Sequence, residues 1–553
     1  MGVGPRLIGV ARNVSETAAT AQTLEHFQWK PTPAGGLIAA ISFAAEGAHG
    51  LRLGVVAKQL PGSATLRLYS QADPGTVFQI SGQEVLQRIQ RLAGAGGTGL
   101  DAQTWWTPDL GSNEMTLEVE LPPGTAVAAL DISIPRLSHI FENLSLPQED
   151  EITTRINESA ACHLDATCYD AYANQRDAVA RMMFTSQGNS YLCTGTLLND
   201  SSSSGTPYFL TANHCISSAA EADSLQTDWF YRTPTCNSRT LSPSMTRRLG
   251  GATLLFASSS FDMALLKLNE APPAGAYFAG WDAGPQALGS AVIGLHHPRG
   301  DMLKFSQGTL RSQTQCTTPS EGTVFQCQGS SGNYYEVSWS QGITEGGSSG
   351  SALFNPANQV VGTLYGGSSR CSAVASSDFY GRFDKAFDAS LKNWLAPTGA
   401  VPSGTARVAV YRFFNGVTGA HFFTASLAER DNTLLNAPSF AYEGVAFYTQ
   451  GSAQISNMPV FRFYGTTGGA HFYTSSAQER DNVISTQPAF RYEGISWYAS
   501  PAATAGASAV YRFYRPSKQV HFYTIGLAER DYIIANNPEY VYEGVAYYAW
   551  ISP

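Results

Sequence analysis

The 553-residue sequence lacks any apolar run long enough to cross a membrane. The longest candidate, Gly35 to Ala45, falls short of the roughly 18 residues that a spanning helix needs, and it is equally typical of a buried strand. We therefore expect no membrane span. The first residues, Met1 to Arg6, also lack the charged and apolar regions of a secretory signal peptide, which we expect to be absent from this sequence.

Charge is sparse as well. Only 14% of the residues are charged, the net charge is −9, and Lys and Arg form no dense run. A nucleic-acid partner is therefore not expected, because such proteins present a basic surface to the phosphates. The 53 glycines and the 11% aromatic content favour a mainly β fold, and the length favours about three domains.

Cysteine is missing from both ends of the chain. All eight cysteines lie in the middle, at positions 162, 168, 193, 215, 236, 316, 327 and 371. An even, clustered set predicts disulfides formed in an oxidising compartment, and hence a secreted protein. Zinc is the weaker alternative because no Cys-x2-Cys pair occurs, so we expect no metal and no cofactor. The pairing itself does not follow from the spacing.

The first segment, residues 1–155, alternates apolar and polar residues between Pro/Gly turns, as in Met115 to Leu121. This pattern predicts a β-sandwich-like domain. One helix is predicted from Gly82 to Arg91, where apolar residues share a face. The segment ends in a polar, acidic stretch at residues 147–155 that is typical of an exposed linker.

The last segment, residues 405–553, contains three repeats of 50 residues. The repeats align on His421, His471 and His521, and each has an aromatic-Arg-Phe-aromatic motif before the histidine and Glu-Arg-Asp and Tyr-Glu-Gly motifs after it. Three such units predict a three-fold β-domain, with a β-trefoil-like arrangement preferred and a propeller-like one as the alternative. Its aromatic residues either form the core or bind a polysaccharide or cell-wall ligand.

Three short motifs lie between these segments. His214 follows the apolar run Phe209 to Ala212, Asp262 precedes the run Met263 to Leu268, and Ser349 lies in a Gly/Ser loop. Each motif alone is weak evidence: a lone histidine is often structural, and an acid before a strand is often a turn residue. Together, in the order His, Asp, Ser, they predict a catalytic triad.

The chemistry of acyl transfer explains this combination. A serine hydroxyl needs an imidazole to remove its proton, and a buried carboxylate orients that imidazole and stabilises its cation. The glycines around Ser349 permit a tight turn in which the N–H groups of Gly347 and Ser349 form an oxyanion hole. We therefore expect a serine endopeptidase that acts on protein or peptide substrates through an acyl-enzyme.

These motifs resemble the signatures of chymotrypsin-like serine proteases. The Gly-Ser-Ser-Gly-Ser loop, the cysteine layout, the run Leu295 to Pro298 and Tyr365 to Gly367 narrow the resemblance to the bacterial lysyl endopeptidases. The resemblance covers residues 160–396 and implies a double β-barrel over about residues 156–398. It also implies disulfides, which are Cys162–Cys371, Cys168–Cys236, Cys193–Cys215 and Cys316–Cys327.

The resemblance further implies that Asp378 lines the primary specificity pocket, where a buried carboxylate selects a basic side chain. Lys is favoured over Arg, because only 7 of the 34 basic residues are lysine and a Lys-specific enzyme would then rarely cut itself. Two positions depart from relatives. Tyr365 replaces a histidine of the lysyl endopeptidases, and Ser348 replaces the aspartate that captures the new N-terminus in animal trypsins, so activation through Ile156 is not expected.

The segment before the protease region is interpreted as a pro-domain. We expect residues 1–155 to assist folding or to block the cleft, and to be removed by cleavage near Arg155, a site that suits a basic-specific enzyme. The product is expected to be a monomer. The alternative from another functional class is a catalytically silent protease fold that serves as an adhesin or glycan-binding protein.

Overall fold

The computed structural model describes residues 4–97, 99–142, 159–317, 325–396, 407–450, 458–500, 502 and 507–551. Within these ranges the chain is mainly β-structure, which confirms the fold class expected from composition. The linker at residues 147–155, the cleavage site near Arg155 and Ile156 lie outside the described residues.

The N-terminal segment contains two β-layers. Its strands are β1 (Arg6–Asn13), β2 (Lys30–Pro31), β3 (Leu37–Ala44), β4 (Gly50–Gln59), β5 (Thr65–Ser70), β6 (Asp73–Ser81), β7 (Thr104–Trp106), β8 (Glu114–Leu121) and β9 (Asp131–Ile140). One layer has the order β2-β3-β8-β5-β6, and the other includes β1-β9-β4-β7. Alternate residues of both layers, such as Leu53, Leu66 and Leu117, form one buried core. This is the expected sandwich.

Two helices accompany these strands, α1 (Thr20–His26) and α2 (Gly82–Gly94). The second confirms the helix predicted from Gly82 and extends it by one turn. It begins with a capping box, in which Ser81 accepts from the Glu84 N–H and Glu84 accepts from the Ser81 N–H. Val85 and Leu92 are buried on its inner face.

The middle segment supplies fifteen strands among the described residues. They are β10 (Leu164–Asp165), β11 (Val179–Ser186), β12 (Asn189–Leu198), β13 (Tyr208–Thr211), β14 (Gln226–Trp229), β15 (Thr246–Arg248), β16 (Ala252–Ser258), β17 (Met263–Leu268), β18 (Ala291–His296), β19 (Lys304–Thr317), β20 (Gln326–Gln328), β21 (Tyr334–Gln341), β22 (Ala352–Phe354), β23 (Val360–Gly367) and β24 (Ser377–Arg382). The helices are α3 (Ala173–Ala178), α4 (Ala219–Asp223), α5 (Phe383–Ala386) and α6 (Lys392–Leu395).

These strands form the two barrels that the resemblance implied. The first runs β15-β14-β11-β12-β13-β17-β16, and the second runs β19-β18-β22-β23-β24-β21. Pairing of β19 with β21 closes the second barrel. All four implied disulfides are present, and the Cys316–Cys327 bond joins the paired strands β19 and β20.

Strand β1 joins the N-terminal segment to the first barrel. It pairs antiparallel with β9 on one side and with β12 on the other, where Arg6 lies opposite Leu192. Arg52 strengthens this junction: its buried guanidinium donates to the Ser224 carbonyl and to the Thr185 hydroxyl. One layer of the N-terminal segment therefore continues the protease sheet, which sequence patterning did not anticipate.

Each C-terminal repeat contains a hairpin, a helix and a third strand. The strands are β25 (Arg407–Asn415), β26 (His421–Thr424), β27 (Phe440–Gln450), β28 (Met458–Gly465), β29 (His471–Thr474), β30 (Phe490–Ala499), β31 (Ala507–Arg515), β32 (Val520–Thr524) and β33 (Val541–Trp550). The helices are α7 (Leu427–Asn436), α8 (Ala477–Thr486) and α9 (Leu527–Asn536). The sequence pattern predicted the strands but not the helices.

The three repeats share one core around their common axis. Equivalent residues meet there, among them Phe447, Trp497 and Tyr547. An arginine of each repeat also pairs with a glutamate of the repeat before it, in the pairs Arg462–Glu429, Arg512–Glu479 and Arg412–Glu529. Because the last pair connects repeat one to repeat three, the ring of contacts is closed. Most of the repeat aromatics are therefore core residues.

Candidate active site

His214 and Asp262 lie at the same edge of the first barrel. Strand β13 ends at Thr211 and its antiparallel neighbour β17 begins at Met263. His214 follows the end of one strand and Asp262 precedes the start of its antiparallel neighbour. The two residues therefore meet, although they are far apart in sequence.

The carboxylate of Asp262 holds His214 through two hydrogen bonds. Its Oδ1 accepts from the His214 N–H at 2.9 Å, and its Oδ2 lies 2.6 Å from His214 Nδ1. Asp262 is only 2% exposed, so the interaction is shielded from water. This arrangement assigns the proton to Nδ1 and directs Nε2 away from the carboxylate, as a general base requires.

Ser349 lies on the loop that precedes β22. Its carbonyl accepts from the Thr194 N–H at 2.8 Å. The next residue, Gly350, has a φ of +83° and approaches Thr211 and Ala212 so closely that a Cβ would collide with both. Glycine is required here, and it brings the loop against the segment that leads to His214.

The hydroxyl of Ser349 is engaged by the N-terminal segment. Ser349 Oγ donates to the Gly4 carbonyl at 3.4 Å, while Nε2 of His214 is buried and has no hydrogen-bond partner among the described residues. The structure therefore forms the Asp–His half of the predicted triad, and the Ser–His hydrogen bond is not made. Ser349 is fully buried in this arrangement.

The predicted oxyanion hole lies on the same loop. Gly347 has a φ of +96°, a conformation that favours glycine. The N–H groups of Ser348 and Gly350 donate to carbonyls of Glu345 and Leu364. Across the described part of the chain, the N–H groups of Gly347 and Ser349 donate to no backbone carbonyl, which leaves them available for an oxyanion.

Asp378 is completely buried in the second barrel. Its Oδ2 accepts three hydrogen bonds at 2.7 Å, from Trp339 Nε1, Thr344 Oγ1 and Ser369 Oγ. Its Oδ1 accepts from the Ser369 N–H at 3.1 Å. Burial raises the pKa of this carboxyl, and the donors oppose that rise. Sequence reasoning found the acid but none of its three side-chain partners, which come from β21 and two loops.

Ser348 has a partner that sequence reasoning also missed. Its hydroxyl lies 2.8 Å from Nδ1 of the buried His296, whose Nε2 lies 3.0 Å from Ser306 Oγ. Burial holds the pKa of His296 well below its usual range, so the ring is neutral. In animal trypsins the residue at the position of Ser348 is an aspartate that pairs with the cationic N-terminus. Here the position holds a neutral hydroxyl whose partner is a neutral imidazole. The Tyr365 side chain lies close to the catalytic candidate His214, and the centres of the two rings are 6.1 Å apart.

Cys193, His214 and Cys215 are close enough to suggest a metal site, since their ligand atoms lie within 4.8 Å of one another. The two cysteines are joined as a disulfide, however, so they offer no thiolate.

No helix within the described ranges is both long and apolar enough to cross a membrane.

Three family models match the chain. The model of the lysyl endopeptidase N-terminal domain matches residues 3–141, that of the lysyl endopeptidase C-terminal domain matches residues 156–381, and a domain of unknown function, DUF5648, matches residues 409–550. A lysyl endopeptidase of Pseudomonas aeruginosa is 33% identical over 412 residues, which cover 71% of this chain and 82% of the relative.

Solved structures show weaker likenesses. The active form of the Rv3671c protease from Mycobacterium tuberculosis is 15% identical, with a TM-score of 0.29 over 43% of this chain and 92% of that one. The MamO protease domain from Magnetospirillum magneticum is 13% identical, with a TM-score of 0.28 over 39% of this chain and 98% of that one. At these TM-scores neither likeness bears on function.

Proposed function

The chain belongs to the lysyl endopeptidase family of trypsin-like serine endopeptidases, and we propose that it is a secreted precursor that cleaves after lysine through an acyl-enzyme on Ser349. In this proposal His214 is the general base, Asp262 orients it, and Gly347 and Ser349 stabilise the oxyanion. The single observation that carries the proposal is the buried Asp262 carboxylate bonded to both the backbone and the ring of His214.

The order of events follows from these groups. His214 Nε2 takes the proton of Ser349 Oγ as that oxygen attacks the peptide carbonyl, and the imidazolium is stabilised by Asp262. The imidazolium then protonates the leaving amine, which leaves an ester on Ser349. Water, deprotonated by the same imidazole, hydrolyses the ester. The first step needs the Ser349 hydroxyl to be released from Gly4.

The hydrogen bonds of Asp378 support a preference for lysine over arginine. Three donors occupy Oδ2, whereas Oδ1 accepts a single N–H. A lysine ammonium is a compact charge that one carboxylate oxygen can bind. An arginine fork makes its best contact with both oxygens of a carboxylate. Because three donors already occupy Oδ2, a lysine that binds through Oδ1 alone loses less binding energy than an arginine that needs both oxygens.

The contact between Gly4 and Ser349 supports the precursor role. The N-terminal segment reaches the serine by adding β1 to the edge of the protease sheet, so removal of that segment would free both the hydroxyl and the edge of β12. N-terminal sequencing of the secreted, active protein tests this. The first residue is expected near 156, and an active protein that retains residues 4–13 in place would contradict it.

The repeats extend the proposal to a second, binding role. We assign to residues 405–553 the attachment of a monomeric protease to a polysaccharide or cell-wall ligand. Three closed repeats carry no residue of the candidate triad, and outside their shared aromatic core they expose side chains such as Leu435 and Tyr532.

Hydrolysis of Lys- and Arg-ended chromogenic substrates tests the catalytic proposal. The mature protein is expected to cleave the Lys substrate faster than the Arg substrate, and Ser349→Ala is expected to reduce both rates by about 10⁶-fold, as loss of such a nucleophile does elsewhere. Equal rates for the two proteins would instead favour the silent, adhesin-like alternative.

A further inference from the structure

A groove of about 400 Å³ opens between the second and third repeats. Its walls come from the hairpin and helix α8 of repeat two and from the hairpin of repeat three, and they include His471, Phe490, Tyr514 and His521. This volume lies within the range of about 300–1,000 Å³ that small-molecule sites occupy. We call it the repeat groove.

One wall of the repeat groove is open because of Gly465. A Cβ at this position would lie 3.4 Å from the ring of Phe490, so any side chain here would extend towards that ring. In repeat three the equivalent residue is Arg515, whose guanidinium lies 5.5 Å from the centre of the Tyr540 ring, the counterpart of Phe490. The glycine therefore leaves uncovered an aromatic ring that an arginine covers in repeat three.

The opposite wall differs in the same way from its counterpart at the junction of repeats one and two. At the junction of repeats one and two, Arg491 lies over the ring of Tyr464 at 5.3 Å. At the junction of repeats two and three, the corresponding ring is Tyr514 and the residue 50 positions after Arg491 is Val541, which makes no cation–π contact. Two independent substitutions thus uncover two facing aromatic walls at one junction.

The charges in the repeat groove are already paired. Arg512 lies between Glu479 and Glu543, with contacts of 2.8 Å to each. Burial, followed by the charge of Arg512, lowers the pKa of His521 to about 4, so this ring is neutral at ordinary pH. The remaining polar groups include the hydroxyl of Thr467 and the side-chain amides of Asn482, Gln487 and Gln519, all of which both donate and accept hydrogen bonds.

Aromatic faces combined with amides and paired carboxylates match a sugar. The C–H face of a pyranose packs on an aromatic ring, while its hydroxyls bond to amide and carboxylate groups without adding charge. We propose that the repeat groove binds a neutral sugar unit of an extracellular polysaccharide. This inference deepens the binding role proposed for the repeats and is independent of the protease chemistry.

The test uses the full chain carrying Ser349→Ala, so that it cannot digest itself. Saturation-transfer NMR would be run with trisaccharides of glucose, galactose, mannose and N-acetylglucosamine, and the dissociation constant would be measured for each binder. Tyr514→Ala removes one wall of the groove. Gly465→Asn installs the residue of repeat one beside Phe490. Tyr464→Ala is the matched control, because it truncates the equivalent ring at the junction of repeats one and two.

We expect at least one trisaccharide to bind, with a loss of ten-fold or more in Tyr514→Ala and in Gly465→Asn and a change of less than two-fold in Tyr464→Ala. Equal losses in Tyr514→Ala and Tyr464→Ala would refute the site while keeping the binding role of the repeats. No binding of any of the four sugars would overturn both, and the chromogenic assay of the mature protein would still judge the protease proposal separately.

Discussion

Replacing Asp378 by asparagine removes one charge from a completely buried position and keeps its shape. The carboxylate is surrounded by donors from Trp339, Thr344 and Ser369 and has no cationic partner among the described residues. In the proposed role, its cationic partner is the lysine of the substrate. A lysine ammonium that enters the pocket of the Asn variant is buried without its counter-charge. Breaking a buried ion pair in this way costs about 3–5 kcal/mol.

Since about 1.4 kcal/mol corresponds to a ten-fold change, kcat/KM for a Lys substrate is expected to fall by about 10²- to 10⁴-fold. A substrate with norleucine in place of lysine has no charge to bury, so its kcat/KM is expected to stay within a few fold. The assay compares the two substrates on mature wild-type and Asp378→Asn proteins, with active sites counted by titration with a covalent serine inhibitor.

The control variant is Asp282→Asn, the same substitution at an acid of the second-barrel region that bonds to Gly284 and Gln286. It is expected to leave the Lys to norleucine ratio unchanged. The reasoning is refuted if Asp378→Asn lowers both substrates equally, since that pattern indicates a distorted site, or if the Lys substrate loses less than ten-fold.

Three further outcomes are expected. Asp262→Asn should lower kcat by about 10⁴-fold without unfolding the protein, because His214 then takes the wrong tautomer; a loss below 100-fold would contradict the assigned role. Burial lowers the pKa of His297 to about 3. The neutral ring therefore makes its full contribution to the free energy of unfolding above about pH 6.5. That contribution falls by about 1.4 kcal/mol per pH unit as the pH drops from there towards 3. Urea titrations between pH 7 and 4 should show a shallower slope in His297→Asn, and an unchanged slope would exclude this histidine as a source of acid sensitivity. Removing the Cys162–Cys371 disulfide by a double serine substitution should lower the free energy of unfolding by about 2–5 kcal/mol, because the bond closes a loop of 209 residues; calorimetry of the mature protein that found no change would show that this bond contributes nothing.

Local patterns were sufficient for several features. The alternation in Met115 to Leu121 predicted a strand, and β8 covers it. The apolar face from Gly82 predicted α2, because a helical period is visible within a few residues. The repeat helices were missed for the same local reason: α8 has few apolar residues, so its periodic signal is weak.

Features that depend on distant residues were not predictable. The sequence pattern of β1 predicts one more strand of the sandwich. Nothing in its eight residues shows that it also pairs with β12. The partners of Asp378 are ordinary Trp, Thr and Ser residues with no motif of their own. Neutral pairing of Ser348 with His296 could have been suspected, because an aspartate is missing at position 348 and the Leu295–Pro298 run is unusual.

The sequence by itself determined the kind of protein this is, because the order of three short motifs, the confined cysteines and the 50-residue period can each be recognised from residue identity and spacing along the chain. Tertiary structure alone decided which groups those motifs meet. The engagement of Ser349 by Gly4, the three donors around one oxygen of Asp378 and the open junction between two of three repeats all come from contacts between residues of different segments of the chain. Such contacts depend on how whole strands pair and pack, which no local pattern encodes.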